Sequence, residues 1–173
     1  ESNNLSILGL ADYGRELKRM HIISTQIEHK AILEPLEQLS KQGFKVTLLP
    51  VGENGTVDPD TLSASLTPDT LLVSIMHVNN ETGVIQPVDE LATVLEGHEA
   101  FFHVDAAQSF GKLISSPQNQ RIDLISASAH KMYGPKGVGA LIMRRRDYEL
   151  PPLKPLIFGG GQERGLRPGT LPV

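Results

Sequence analysis

Polar side chains of chemically reactive types follow four short, strand-like runs of this sequence. These segments are residues 28–30 (Glu-His-Lys), 77–83 (His-Val-Asn-Asn-Glu-Thr-Gly), 103–108 (His-Val-Asp-Ala-Ala-Gln) and 129–131 (Ala-His-Lys). In α/β sheets, ligands collect outside the carboxyl ends of the parallel strands. One such segment arises easily by chance, whereas four of them indicate one shared ligand site.

Lys131 and Asp105 carry the most specific chemistry among these residues. A lone lysine is most often a solvated surface charge, and a lone aspartate before small residues is most often a helix N-cap. Lys131, however, follows a run of small and apolar residues. There, a partly desolvated amine beside other positive groups becomes a nucleophile suited to imine chemistry. Asp105 could stabilise a cationic ring nitrogen, which would make a pyridinium an electron sink.

The histidines and glycines admit more than one interpretation. The four histidines near strand ends lack the paired spacing of zinc ligands, and one of them fits better as a flat ring stacked on an aromatic cofactor. They are His29, His77, His103 and His130. The glycines at 159–161, together with Arg164, Arg167 and Thr170, could hold a phosphate, although most Gly-rich stretches are simply loops. Dinucleotide, Walker A and GxSxG motifs are absent from the sequence.

Composition excludes several classes of protein. The 173 residues are 39% apolar and carry a net charge of −4, which does not favour nucleic-acid binding. The sequence has no cysteine, so it can form no disulfide, thiolate metal site or cysteine nucleophile. It also lacks a run of about 18 apolar residues. We therefore expect a cytoplasmic protein without a membrane span. Both ends suggest a fragment of a larger protein.

Strand-like and helical patterns alternate along the chain, which predicts an α/β domain with helices on both faces of the sheet. Helices are predicted at residues 4–18, 31–42, 59–66 and 87–96, and strands at 22–25, 45–49, 71–76, 100–104, 123–128 and 138–143. The link at 129–137 is too short for a parallel crossover, so the last two strands should pair antiparallel. Residues 151–155 should be irregular, and the glycines at 159–161 mobile.

Four segments together resemble a known family. Residues 74–83, 103–108, 128–137 and 159–164 are similar to the cysteine desulfurases of the NifS/IscS type. These belong to the class V aminotransferase group of fold type I enzymes, which depend on pyridoxal 5′-phosphate (PLP), and selenocysteine lyase is close kin. The resemblance covers essentially the whole chain in order. It implies a three-layer α/β fold whose mostly parallel sheet has one antiparallel strand.

The resemblance also implies roles around the PLP ring. Lys131 would form the Schiff base with the cofactor, and Asp105 would pair with its pyridine nitrogen. Gln108 and Asn80 would bind the phenolic oxygen side of the ring. His29 would stack on the ring and help to move protons.

The phosphate and the domain organisation follow from the same resemblance. Ser128 and His130 would bind the phosphate, while Thr170 would reach the cofactor phosphate of a partner subunit, which implies a homodimer. Residues 1–150 would be the core of the PLP-binding large domain without its N-terminal part. Residues 151–173 would be a tail leading to the partner-subunit phosphate loop, and the C-terminal small domain would be absent.

The missing cysteine is the main departure from the family, because the family's catalytic cysteine would lie beyond this chain. The resemblance implies that the whole protein converts L-cysteine to L-alanine and an enzyme-bound persulfide. That sulfur would then pass to an acceptor protein, as in iron–sulfur cluster biogenesis. This chain alone would be inactive. The alternatives are selenocysteine lyase or a related class V aminotransferase, and a cofactor-free interaction module.

Overall fold

The computed structural model describes residues 1–113, 117 and 119–170. The helices are α1 (Ser2–Leu8), α2 (Ala11–Glu16), α3 (Lys30–Lys41), α4 (Pro59–Ser65) and α5 (Val88–Val94). The strands are β1 (His21–Thr25), β2 (Lys45–Leu49), β3 (Thr70–Met76), β4 (Phe101–Asp105), β5 (Leu124–Ser128) and β6 (Gly139–Met143). Two short 3-10 turns cover Ala129–Lys131 and Gln162–Gly165.

The strands form one mixed sheet in the order β2-β1-β3-β4-β5-β6. The four pairings from β2 to β5 are parallel, whereas β5 and β6 pair antiparallel with Ser128 opposite Gly139. The antiparallel pair predicted from the short 129–137 link is confirmed. Strands β2 and β6 are the two edges of the sheet.

Two apolar clusters cover the two faces of the sheet and confirm the three-layer α/β fold. One cluster joins side chains of α4 and α5, such as Leu62 and Leu91, to alternate residues of the central strands. The other joins side chains of α1 and α3, such as Ile7 and Leu36, to the opposite face. Strand β3 is buried at all seven positions, as a central strand covered on both faces requires.

The single helix expected at residues 4–18 is wrong, because the chain forms α1 and α2 with a break at Gly9 and Leu10. The irregular tail causes a close approach at this point: the backbone N–H of Lys154 donates to the Gly9 carbonyl at 2.9 Å. A Cβ at Gly9 would lie 2.4 Å from the Leu5 carbonyl oxygen and 3.0 Å from that of Lys154. The apolar periodicity was continuous across the break and carried no sign of this contact.

Other local predictions are confirmed. The Asp58 carboxylate caps α4 by accepting from the backbone N–H groups of Asp60 and Thr61. Helix α3 ends just before Gly43, which has a φ of +94° that favours glycine. The segment at 151–155 is irregular but anchored, since Pro151 and Leu153 are buried. Mobility of the glycines at 159–161 remains a prediction, and residues 171–173 of the predicted tail lie outside the described residues.

Among the helices of the described chain, none combines the length and apolar character needed to cross a membrane.

Candidate functional site

A cavity of about 820 Å³ lies at the carboxyl ends of β3, β4 and β5. The start of α1, the start of α3, strand β6 and residues 163–167 complete its walls. Seven of the eight predicted site residues line it: His29, Asn80, Asp105, Gln108, Ser128, His130 and Lys131. Thr170, the eighth, is exposed and is not among the residues that line this cavity. The structure therefore brings together side chains that lie up to 102 positions apart in the sequence.

Asp105 ends β4 and is 6% exposed. Its Oδ1 accepts the backbone N–H of Ala107 at 2.9 Å, and its Oδ2 accepts the Nδ2 amide of Asn3 at 2.7 Å. Both donors are neutral, and within the described ranges no cationic side chain forms an ion pair with Asp105. Sequence reasoning missed Asn3, because a residue at the start of a helix gives no sign of which distant carboxylate it meets.

Lys131 closes the 3-10 turn after β5 and is partly buried in the cavity wall. The turn is tight because the backbone N–H groups of Met132 and Gly134 both donate to the Ala129 carbonyl, at 2.9 and 2.8 Å. A Cβ at Gly134 would lie 3.0 Å from that same oxygen, so the turn favours glycine there. No ion pair engages Lys131 in the part of the chain that the structure describes. Its amine is therefore available to a ligand.

Ser128 and His130 form a polar pair beside Lys131. Ser128 Oγ lies 3.0 Å from His130 Nδ1, and both residues line the cavity. With a neutral ring, this contact leaves one donor for an anion: His130 Nε2 if the hydroxyl donates to Nδ1, or Ser128 Oγ if Nδ1 donates to the hydroxyl. Arg164 and Arg167 line another wall, where Arg167 Nε pairs with Glu1 Oε1 at 2.9 Å.

His29 is the N-cap of α3. Its Nδ1 accepts the backbone N–H of Ala31 at 3.1 Å. Because an accepting ring nitrogen has no hydrogen, the neutral ring carries its hydrogen on Nε2. The proton-exchanging atom that His29 offers to the cavity is therefore Nε2.

Asn80 is exposed at the rim of the cavity, on a loop organised by its neighbour Asn79. Asn79 Oδ1 accepts the backbone N–H groups of Glu81 at 3.0 Å and Thr82 at 2.8 Å, while Nδ2 donates to the Ile27 carbonyl at 3.0 Å. The sequence presents two adjacent asparagines, and only the structure separates the loop-forming one from the cavity-lining one.

Glu28 is a buried carboxyl that sequence analysis did not single out. Its Oε1 accepts from Thr25 Oγ1 at 2.9 Å and from the Met76 backbone N–H at 2.8 Å, which ties the end of β1 to the end of β3. Burial raises the pKa of Glu28 from 4.5 to about 8. This shift favours the protonated form of a carboxyl that lies next to the residue capping α3.

Among the described residues, no three or more His, Cys, Asp or Glu side chains cluster in a way suited to a metal ion. The donor set suits an organic ligand with both cationic and anionic parts. A carboxylate with neutral partners, an amine, a hydroxyl–imidazole pair and a flat exposed ring all line one cavity.

Comparison with known proteins identifies the class. Residues 1–167 match the aminotransferase class-V family, and the chain belongs to that family. The chain is 52% identical over 172 residues to a protein named probable cysteine desulfurase, mitochondrial, from Dictyostelium discoideum, covering 99% of this chain and 38% of that protein. Class V aminotransferases and cysteine desulfurases are generally PLP-dependent enzymes.

Solved structures agree with this assignment. DndA from Streptomyces lividans superposes with a TM-score of 0.92 at 56% identity, covering 99% of this chain and 48% of that one. A structure described as SspA in complex with cysteine gives a TM-score of 0.90 at 45% identity, with coverages of 99% and 48%. The chain thus spans less than half the length of these relatives, and the resemblance to cysteine desulfurases is confirmed.

The expected cytoplasmic location is contradicted by the curated relatives. Proteins from Dictyostelium discoideum, Arthroderma benhamiae and Drosophila melanogaster are named mitochondrial, and one from Trachipleistophora hominis is named mitosomal. A bacterial IscS from Ehrlichia chaffeensis also matches. These names do not support the expected cytoplasmic location, and the composition of the chain carries no signal for a compartment.

Proposed function

We propose that this chain is the cofactor-binding core of a PLP-dependent cysteine desulfurase. The observation that carries the proposal is the buried Asp105 carboxylate, which lines the same cavity as Lys131 and whose hydrogen-bond donors among the described residues are all neutral. A buried anion without a counter-ion is costly, and a cationic ligand relieves that cost. A protonated pyridine nitrogen is such a cation.

The residues around the ring fit this cofactor. PLP, when bound, supplies an electron-withdrawing ring that stabilises negative charge on the α-carbon of an amino acid. Lys131 would bind the cofactor covalently through Nζ, and Asp105 would hold the ring nitrogen in its protonated form. Gln108 and Asn80 would orient the phenolic oxygen side. His29 would cover the ring and move a proton through Nε2, because Nδ1 is engaged in capping α3.

The phosphate and the quaternary structure belong to the same proposal. Ser128 and His130 would bind the phosphate, and their mutual contact at 3.0 Å would hold the pair in place with one hydrogen directed to a phosphate oxygen. Thr170, exposed and outside this cavity, would serve the phosphate in the partner subunit of a homodimer. Residues 1–150 would then form the large-domain core, and residues 151–173 would carry the loop that reaches the partner.

The whole-protein reaction would remove sulfur from L-cysteine and leave L-alanine. Relatives named cysteine desulfurase and the structure described with cysteine support that substrate. The persulfide must form on a cysteine that is not part of these 173 residues, because they contain none. This chain alone would therefore bind cofactor without turnover. The whole protein would pass its sulfur to an acceptor protein, as in iron–sulfur cluster assembly.

Cofactor titration followed by borohydride reduction tests the proposal. Mass spectrometry should find reduced cofactor on Lys131, and Lys131→Ala should abolish this labelling. Lys136→Ala, an exposed lysine five positions on, should leave it intact. Unchanged labelling of Lys131→Ala would overturn the site, and absence of labelling in the unmodified chain would favour a cofactor-free module. With the whole protein, cysteine and selenocysteine supplied side by side would separate a desulfurase from a selenocysteine lyase.

A further inference from the structure

A row of buried polar side chains crosses four strands of the sheet and ends at the cavity. Its members are Ser24 on β1, Ser74 on β3, His103 on β4 and Ser126 on β5, all between 0% and 3% exposed. Ser24 Oγ donates to the Ser74 carbonyl at 2.7 Å, and His103 joins Ser74 Oγ to Ser126 Oγ at 2.9 Å on each side. Of these four residues, Ser126 lines the cavity, where it pairs in register with Asp105.

The hydrogen-bond network fixes which nitrogen of His103 carries the hydrogen. Burial lowers the pKa of His103 to about 4, so the ring is neutral, with one donor and one acceptor. His103 Nδ1 is the one acceptor within reach of the Ser74 hydroxyl among the described residues. A hydrogen on Nδ1 would leave the Ser74 hydroxyl without an acceptor at a site that does not line the cavity, which is unfavourable. A hydrogen on Nε2 instead leaves the Ser126 hydroxyl without an acceptor in the chain, and that hydroxyl lines the cavity, where a solvent or ligand atom can accept. Ser74 therefore donates to Nδ1, and Nε2 donates to Ser126.

This assignment determines what Ser126 can offer. Because its oxygen accepts from His103 Nε2, its own hydrogen points elsewhere, and no acceptor among the described residues takes it. The side chain lines the cavity beside Asp105. We propose that His103 is a positioning residue that makes the Ser126 hydroxyl a hydrogen-bond donor to an oxygen atom of the bound cofactor. The identity of that ligand rests on the proposed function, whereas the direction of the donor does not.

Nitrogen-15 NMR of the imidazole tests the direction of the donor without any cofactor. The His103 signals, assigned by their loss in His103→Gln, should show hydrogen on Nε2 and none on Nδ1. In Ser74→Ala, which removes the donor to Nδ1, that preference should weaken. A ring with its hydrogen on Nδ1, or a positively charged ring at neutral pH, would overturn the proposal.

PLP titration tests the consequence for binding. Loss of one hydrogen bond in Ser126→Ala should raise the dissociation constant about fivefold, while Ser40→Ala on the exposed surface of α3 should leave it unchanged. Since His103 acts through Ser126, His103→Leu with Ser126→Ala should bind as weakly as Ser126→Ala alone.

Wild-type affinity in Ser126→Ala, or losses that multiply in the double variant, would refute the proposal. If His103→Leu does not fold, Ser74→Ala replaces it in the cycle. If even the unmodified chain fails to bind PLP, the proposed function fails, and the NMR result alone decides the role of His103.

Discussion

Two buried aspartates on neighbouring strands differ in what neutralises them. Asp105 at the end of β4 is 6% exposed, and Asp123 just before β5 is 5% exposed. Asp123 Oδ2 accepts from Arg121 Nη1 at 2.8 Å and from Arg146 Nη2 at 2.7 Å, and it also receives the Phe102 backbone N–H at 2.7 Å. Asp105 receives two neutral N–H groups, and no guanidinium of the described residues contacts it.

The difference separates a carboxylate that is paired with cations among the described residues from one that is not. At the amino end of these strands, Asp123 has its counter-charges inside the chain, and the guanidinium of Arg121 also donates to the carbonyls of Leu95, His98 and Ala100. That network is complete and holds loops to the sheet. At the carboxyl end, Asp105 is equally buried but lacks a cation. A cationic ligand, as proposed above, would supply the counter-charge that the described residues do not.

The largest expected effect concerns the completed network. Asp123→Asn leaves two guanidinium groups without their anion, and breaking a buried ion pair in this way costs about 3–5 kcal/mol. Urea unfolding should show that loss. Asp105→Asn is the matched control and should cost far less, because the Asn3 amide can rotate to accept from a new amide at 105. Equal losses in the two variants would erase the distinction between the two aspartates.

Glu28 extends the comparison to a third buried carboxyl, whose effect on stability should depend on pH. Its folded-state pKa of about 8 lies above its ordinary value of 4.5, so its stabilising effect is full below pH 4.5 and is lost as pH rises to 8. Because Glu28→Gln cannot ionise, its free energy of unfolding relative to that of the unmodified chain should rise by on the order of a few kcal/mol between pH 5 and 8. Denaturant unfolding across this range measures the difference. Parallel pH profiles for the two proteins would mean that Glu28 is not buried as described.

Arg146 tests how much geometry matters in the completed network. It contacts Asp123 through two nitrogens and lies over the Phe101 ring at 5.2 Å. Arg146→Lys keeps the charge but loses the two-pronged contact and the stacking, so we expect a loss of about 1–2 kcal/mol. Thermal unfolding should register this loss, with Arg145→Lys as control, because Arg145 is exposed and its side chain contacts a backbone carbonyl rather than a carboxylate or a ring. A fall in melting temperature no larger than that of the control would mean that Arg121 alone provides the stabilising contact to Asp123.

The smallest effect is expected at the incomplete site. Asn3→Ala removes one of the two donors to Asp105, and loss of such a bond costs about 0.5–1.5 kcal/mol. The urea midpoint should fall slightly without a change in slope. A loss as large as that of Asp123→Asn would show that Asp105 is held for stability rather than kept for a ligand.

Sequence patterns predicted the strands and the segments that hold six of the seven cavity residues, because strand ends in an α/β sheet must meet at one edge. Ser128, the individual roles and the mostly parallel order of the sheet came from the family resemblance. The patterns could not predict contacts between distant segments. The break at Gly9 depends on a tail residue 145 positions later, and the Asn3 amide reaches Asp105 across 102 positions. Nor did they separate Asp105 from Asp123, because the partners of each are fixed by register and loop packing rather than by neighbouring letters.

The edge strand β6 has one further consequence. Its sequence, Gly-Ala-Leu-Ile-Met, contains no charge or proline, and within the described residues no strand pairs with its outer side. The opposite edge, β2, begins instead with an exposed lysine. Unpaired backbone groups on an uncharged, apolar edge are a template for adding another strand. The sheet is therefore open to growth in one direction, and concentrated solutions of this chain should self-associate through β6 first.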